Sequence, residues 1–399
     1  MKKIKIAIYA LHPIMYQTPI FKTLEKYIQQ NNVNLSVTIL FGDDLSLRHT
    51  LNTEFNTSFS YGNDLLEGYR YKFLKNYSSD SRQGILSRIN PGIFFELYKQ
   101  KYDVILIHGY ESLTAWFTLI AAKLTNTKII WRGESTLRKG SEKYFFRNQM
   151  KRKVLKFFFD KCDAVMYSCS GNKDYLEFYG VEEYKLFFIP CAVDNKFFQT
   201  ERKKYINNSK DIKKNNGIDD KDMVVLFSAR LTSRKRPFDL LNALSKINNS
   251  NITVLFVGDG IERRDVENSA KERGIKVVFT GFKSQLEIPK YYSIADVCVV
   301  ISDYDPSPKV INEAMNFELP VIVTDVIGTA SDLVKNNVNG FIVEVGDIDE
   351  IANKLNFLNT NKGELERMGK ASLKFVENWN YDKDVQNLLK AFKYVLKSK

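Results

Sequence analysis

Two cations and one carboxylate stand out by where they fall in the chain. The run Met223–Ser228 is apolar and rich in β-branched residues, and Ala229-Arg230-Leu231-Thr232-Ser233-Arg234-Lys235-Arg236-Pro237 follows it. A buried strand there delivers Arg230 at its carboxyl end. Lys235 then lies in the loop before a helix that Pro237 can open. Two cations at a strand edge, close to a helix N-terminus, suit a diphosphate. A second apolar run, 296–301, leads into Ser302-Asp303-Tyr304-Asp305-Pro306-Ser307-Pro308-Lys309-Val310-Ile311-Asn312-Glu313. The spacing predicts Ser307 as N-cap and Pro308 as the first helical residue. Glu313 then falls in the second turn, where its carboxylate can accept hydrogen bonds from vicinal hydroxyls such as those of a ribose. Each feature alone has a plainer reading, a solvated basic loop or a surface helix acid. Their succession on two strand ends outweighs it.

Such residues need rigid elements to hold them. Short apolar runs alternate with helical patterns in both halves of the chain. The first half has Ile4–Ala10, Leu35–Phe41, 103–108, 128–131 and 164–168; the second has Met223–Ser228, Ile252–Val257, 276–280, 297–301 and 320–324. Several are apolar at consecutive positions, as strands covered on both faces of a parallel sheet are. Repeated βα units predict an α/β class of open parallel sheets. A polar tract over 200–221 separates the two series and puts the boundary just before it. The expected organisation is a first domain over 1–192 and a second over 193–380. A polar stretch over 42–60 reads as a long surface loop.

At 399 residues the chain exceeds one ordinary core and fits two to three domains. Apolar residues at 44% and charged residues at 27% exclude wholesale disorder, collagen and coiled coil. Lys and Arg number 59 against 47 Asp and Glu, a net charge of +12 that favours anionic partners. Cys162, Cys169, Cys191 and Cys298 form no CxxC pair and read as reduced, packed thiols. The apolar start is too short for a signal peptide and is followed by His12-Pro13. The longest span-like run, 113–122, falls short of the roughly 18–20 residues that a transmembrane helix needs. The expectation is a cytoplasmic or peripheral protein.

The second half resembles glycosyltransferase family 4, the retaining, nucleotide-sugar-dependent enzymes of GT-B fold. The resemblance runs in order through Ser228-Ala229-Arg230-Leu231, Lys235, Val257-Gly258-Asp259-Gly260, Phe279-Thr280-Gly281-Phe282, Asn312-Glu313-Ala314-Met315, Leu319-Pro320-Val321-Ile322 and Asn339-Gly340-Phe341. More loosely, His12-Pro13-Ile14-Met15-Tyr16-Gln17, Tyr102-Asp103-Val104-Ile105 and Arg132-Gly133-Glu134-Ser135 resemble its bacterial polysaccharide branch. This implies two facing Rossmann-like domains with a cleft between them, and a last helix within 381–399 that crosses back to the first domain. It also implies that Arg230 and Lys235 hold the diphosphate without a metal. Glu313 would bind the ribose, and the backbone at Ser307, Lys309 and Val310 a phosphate. Gly258, Gly281 and Phe282 would lie near the base. The family's Glu-x7-Glu pair falls on Asp305 and Glu313, with an Asp in first place that is about one methylene shorter. His108, at a strand end, would meet the transferred sugar. His12 stands where relatives carry a glycine-rich loop, and Glu134 would orient the acceptor.

The implied function is transfer of a hexose-type sugar from a nucleoside diphosphate to a glycan or lipid-linked glycan in cell-surface polysaccharide synthesis. No cofactor is expected. Asp303-Tyr304-Asp305 is a DxD of the kind that binds a divalent metal in a different transferase fold. So short a pattern arises by chance about once in a chain of this length, and no metal is expected. The segment 145–159 combines Arg147, Lys151, Arg152, Lys153 and Lys156 with eight aromatic or apolar residues. As a helix it would be basic on one side and aromatic on the other, which suits peripheral contact with the anionic inner face of a membrane. A nucleotide-sugar epimerase on the same fold is the alternative within enzymes. The charge also permits a nucleic-acid-binding protein, but the basic residues are spread out and no nucleic-acid motif is present.

Overall fold

Strands that are apolar on every residue must be covered on both faces, and the two longest series of them build two parallel sheets. The computed structural model describes residues 3–47, 50–52, 57–59, 63–79, 84–138, 145–247 and 251–397. It divides into two units. One comprises Met1–Asn52, Thr57–Pro190 and Tyr381–Lys399, and the main body of the other is Cys191–Asn380.

The first unit contains β1 (Ile4–Ala10), β2 (Leu35–Phe41), β3 (Thr50–Asn52), β4 (Thr57–Phe59), β5 (Tyr71–Phe73), β6 (Val104–His108), β7 (Lys128–Arg132), β8 (Ala164–Tyr167) and β9 (Leu186–Phe188). Seven of these form one parallel sheet in the order β5-β2-β1-β6-β7-β8-β9. The strands β3 and β4 pair antiparallel, so the stretch expected as a plain loop carries a small hairpin. Ile105, Ile107, Ile129 and Trp131 face a layer that includes Leu97, Leu119, Leu155, Phe158 and Phe159. On the other side, Ile8, Leu106 and Ile130 pack with Phe21, Leu24, Leu388 and Phe392. The last two come from the helix Tyr381–Lys397, which lies against the helix Thr18–Gln30 and strands β6, β7 and β9.

The second unit contains β10 (Met223–Ser228), β11 (Ile252–Val257), β12 (Lys276–Phe279), β13 (Val297–Val300), β14 (Val321–Thr324) and β15 (Gly340–Val343). They form a parallel sheet in the order β12-β11-β10-β13-β14-β15. Val225, Phe227, Val254, Phe256, Val299 and Ile322 pack with Leu240, Leu241, Val266, Ile351 and Leu355. The polar tract over 200–221 is not a bare linker. It supplies most of the helix Asn195–Ile206 and the helix Ser209–Asn215. The four cysteines are buried, and none forms a disulfide.

One buried amide ties several parts of this unit together. Asn195 Nδ2 donates to Val376 O (3.0 Å) and Trp379 O (3.1 Å), and its Oδ1 accepts from Asn316 Nδ2 at 2.9 Å. Asn316 ends the helix Lys309–Asn316, which carries Glu313. Replacing Asn195 with Ala leaves two carbonyls and one amide without this partner in a dry place. Loss of about 3 kcal/mol of unfolding free energy is expected, measured by urea denaturation. A loss under about 0.5 kcal/mol would show that the network carries no load.

Candidate functional site

The sheet order of the second unit places β10 beside β13, although two strands intervene in the chain. The strand order reverses between them, and a reversal of this kind is the usual ligand position in open α/β sheets. The segment after β10 carries Arg230 and Lys235, and the segment after β13 carries Asp305. Lys235 Nζ is ion-paired with Asp305 Oδ2. Arg234 Nη1 donates to Tyr304 O (3.2 Å), and Asp303 N–H donates to Arg234 O (3.0 Å). The two loops are therefore one braced structure. Asp305 also takes Gly328 N–H on its carbonyl at 3.0 Å, which ties in the segment after β14. Arg230 is half-buried, and its pKa is lowered first by burial and then by the neighbouring Arg234. So the site concentrates positive charge around Arg230, Arg234 and Lys235.

The helix Lys309–Asn316 corrects one expectation. Pro308, with φ −67° and ψ 117°, is the cap residue, Lys309 is the first helical residue, and no side chain caps the end. Ser307 instead accepts from Lys309 Nζ through both its carbonyl and its hydroxyl oxygen, at 3.3 Å each. The reason lies in Pro308 itself, whose extended backbone is outside the helical region, so the helix opens one residue later than expected. Glu313 stays in the second turn, only 3% exposed. Tyr292 Oη donates to its Oε2 at 2.7 Å. Burial, and then the Glu313 carboxylate, hold the Tyr292 phenol well above its ordinary pKa. It therefore stays protonated and remains a donor. A carboxylate has about four lone-pair sites, so this bond leaves acceptor capacity on Glu313.

Gly258 and Gly281 meet. Gly258 N–H donates to Gly281 O at 3.0 Å. Gly258 has φ +137°, and a Cβ there would come within 2.1 Å of Ala229 O, so only glycine fits against the segment after β10. Phe282 follows with 37% of its surface exposed. Donor-side candidates Arg230, Lys235, Gly258, Gly281, Phe282, Asp305, Ser307, Lys309, Val310 and Glu313 thus all lie on the second unit's segments beyond its strand ends or on the helix that follows β13.

The first unit has its own point of reversal, between β1 and β6. His12 follows β1. Its Nδ1 is buried and has no hydrogen-bond partner. Burial lowers its pKa, Asp43 opposes that shift and Arg88 adds to it. Arg88 Nε lies 2.8 Å from Asp43 Oδ2, a pair almost wholly buried. Sequence reading missed this pair, because its members stand 45 positions apart with no pattern joining them. His108 ends β6. Gln17 Nε2 lies 2.8 Å from its Nδ1. An amide nitrogen only donates, so Nδ1 accepts and the ring proton sits on Nε2. Burial, and then Arg132, hold the His108 pKa well below its ordinary value, against a weaker pull from Glu134. Glu134 itself is exposed. His108 and His12 both belong to the first unit.

The helix Phe145–Asp160 is less cleanly divided than expected. Leu155, Phe158 and Phe159 enter the core, whereas Met150 (72%), Val154 (44%) and Phe157 (55%) are exposed among Lys151, Arg152, Lys153 and Lys156. The side chains of residues 145–148 lie outside the described residues. No helix among the described residues is long and apolar enough to cross a membrane.

Comparison with known proteins accords with this architecture. Residues 208–375 match the family model described as glycosyl transferases group 1. The UDP-Gal:alpha-D-GlcNAc-diphosphoundecaprenol alpha-1,3-galactosyltransferase of Escherichia coli is 29% identical over 276 residues, 65% of this chain and 67% of the relative. The GalNAc-alpha-(1->4)-GalNAc-alpha-(1->3)-diNAcBac-PP-undecaprenol alpha-1,4-N-acetyl-D-galactosaminyltransferase of Campylobacter jejuni is 29% identical, over 49% of this chain and half of its own length. Among solved structures, Anabaena Alr3699/HepE in complex with UDP aligns with TM-score 0.72 and 18% identity, over 98% of this chain and 99% of that one. The fold is that of the GT-B glycosyltransferases, and the matched domain places residues 208–375 with the group 1 glycosyl transferases.

The neutral His108 has a thermodynamic consequence. The unfolded chain takes up this proton near pH 6.5 and the folded chain only well below it, so stability falls as pH drops through about 6.5. In urea unfolding between about pH 7.5 and 5.5, His108→Gln is expected to lose stability less steeply than the parent. The difference is at most about 1.4 kcal/mol per pH unit. Identical slopes would contradict a neutral His108.

Proposed function

We propose that the chain is a retaining transferase that moves a hexose-type sugar from a nucleoside diphosphate to a glycan or lipid-linked glycan acceptor in cell-surface polysaccharide synthesis. The observation that carries this reading is the convergence of Arg230, Lys235 and Glu313 beyond two adjacent parallel strands, with Asp305 held against Lys235. It is supported by the names of the Escherichia coli and Campylobacter jejuni relatives, which act on undecaprenol-linked sugars, and by the UDP bound to the Anabaena neighbour.

In this reading the diphosphate lies against Arg230 and Lys235, and the helix opening at Lys309 and Val310 adds backbone N–H donors beyond Ser307. Glu313 accepts hydrogen bonds from the ribose hydroxyls, and its bond from Tyr292 fixes its orientation. Gly258, Gly281 and Phe282 border the base. As the acceptor oxygen bonds to the anomeric carbon, the bond from that carbon to the phosphate oxygen breaks, and its electron pair leaves with the nucleoside diphosphate. The acceptor proton passes to the leaving phosphate on the same face, so configuration is retained. The two cations stabilise the charge that develops there, with no metal ion in the step. Asp305, freed from Lys235 when phosphate takes its place, contacts hydroxyls of the transferred sugar. His108 offers its Nε2 proton as a donor to the substrate, and His12 and Glu134 stand on the acceptor side.

Calorimetric titration with UDP, GDP and ADP tests this reading. Binding of one nucleotide is expected, unchanged by EDTA and weakened at least tenfold in Glu313→Ala. Failure of all three to bind, or binding only with a divalent ion, would overturn it.

The reading includes peripheral attachment at the inner face of the membrane, supported by the exposed Met150, Val154 and Phe157 among four cations. In flotation assays, vesicles containing phosphatidylglycerol are expected to carry more protein than pure phosphatidylcholine vesicles. Phe157→Ser combined with Lys153→Gln should abolish the difference. Equal recovery from both vesicle types would dismiss the attachment.

A further inference from the structure

Arg132 is a cation inside the first unit with no role in the reading so far. It ends β7, pairs with His108 across the β6–β7 register, and is 6% exposed. The two side chains share one face of the sheet, since Leu106 and Ile130, two residues before each, belong to the same core cluster. Arg132 Nε is buried and has no hydrogen-bond partner. Among the described residues, no ion pair includes Arg132. Buried guanidinium groups are normally paired, because an unpaired charge in a dry place is costly.

The neighbouring groups do not supply the missing partner. His108 uses its Nδ1 to accept from Gln17, so the atom it has left, Nε2, is a donor. Thr18, next to Gln17 at the start of its helix, has a buried Oγ1 with no partner. The surroundings of Arg132 are also held firmly. Trp131 Nε1 donates to Gly109 O at 3.0 Å, and Asn172 Nδ2 donates to Ser135 O at 2.6 Å. Between them, Gly133 lies so close over the Trp131 ring that a Cβ would come within 2.3 Å of it. A fixed guanidinium beside a fixed imidazole N–H is a set of donors waiting for an oxyanion.

We propose that Arg132 and His108 form an anion subsite at the carboxyl ends of β6 and β7, which takes a phosphate or carboxylate group of a substrate. This rests on the transferase reading for its role, but not for its chemistry. Two sources can supply such a group: the diphosphate of a lipid-linked acceptor, or the carboxylate of an acidic sugar.

The test uses the full chain saturated with UDP, so that the cations of the second unit are occupied. A short-chain prenyl diphosphate, the matching prenyl alcohol and glucuronate are titrated in turn into the parent, Arg132→Gln and Arg132→Lys. Circular dichroism checks that each variant is folded. At least a tenfold loss of prenyl diphosphate binding in Arg132→Gln, with a smaller loss in Arg132→Lys and none for the alcohol, supports the subsite and assigns it to the acceptor. The same pattern for glucuronate supports the subsite and assigns it to a sugar carboxylate. If neither anion depends on Arg132, the proposal is overturned. UDP affinity itself should not change in either variant. A parent that binds none of UDP, GDP and ADP would defeat the transferase reading, while the anion titrations, run without nucleotide, would still decide the subsite.

Discussion

Parallel strands deliver all their carboxyl ends to one edge of a sheet, and this constraint organises the whole molecule. Each unit also reverses its strand order once, at β1/β6 in the first and β10/β13 in the second. Where the order reverses, the two outgoing segments cannot cover the gap between the strands they leave. Groups far apart in the chain then meet without any long-range pattern in the sequence. Lys235 and Asp305 are 70 residues apart, and Gln17 and His108 are 91 apart. Without the reversal these side chains would be ordinary loop residues.

The chemistry at the two edges differs, and burial explains how. In the second unit the cations sit on segments that remain partly open, and Lys235 is paired with the Asp305 carboxylate. Glu313 is buried but held by the phenol of Tyr292, which fixes its orientation. In the first unit burial acts on histidines and on Arg132. It removes the proton from His108, which makes the ring a hydrogen-bond donor rather than an acid, and leaves Arg132 as a charge without a partner.

Much of this was legible from the residues. The strands with consecutive apolar side chains, β1, β2, β10 and β11, have the bounds that their composition suggests, because a chain segment so apolar can only be an interior strand. The edge strands β5 and β9 could not be read. They are three residues long and partly exposed, so their pairing depends on the sheet already being there. Ser307 looks like an N-cap, yet Pro308 is itself extended and the helix opens only at Lys309. Arg132 was invisible for another reason. An arginine at the end of a strand is usually solvated, whereas this one is 6% exposed. Residue types pointed to a donor-side chemistry, whereas protonation state and burial needed the packing.

The helix Tyr381–Lys397 gives the molecule an unusual order of completion. It belongs to the first unit, where Val385, Leu388, Ala391, Phe392 and Val395 cover one face of the sheet. A ribosome making this chain therefore finishes the second unit while the first still has an uncovered apolar face. Domains usually mature in the order in which they are made. Here the unit begun first is the last to be sealed, and its open face is the surface a holding chaperone would meet. A premature stop after residue 380 would leave the second unit complete and turn the first unit into an aggregation hazard.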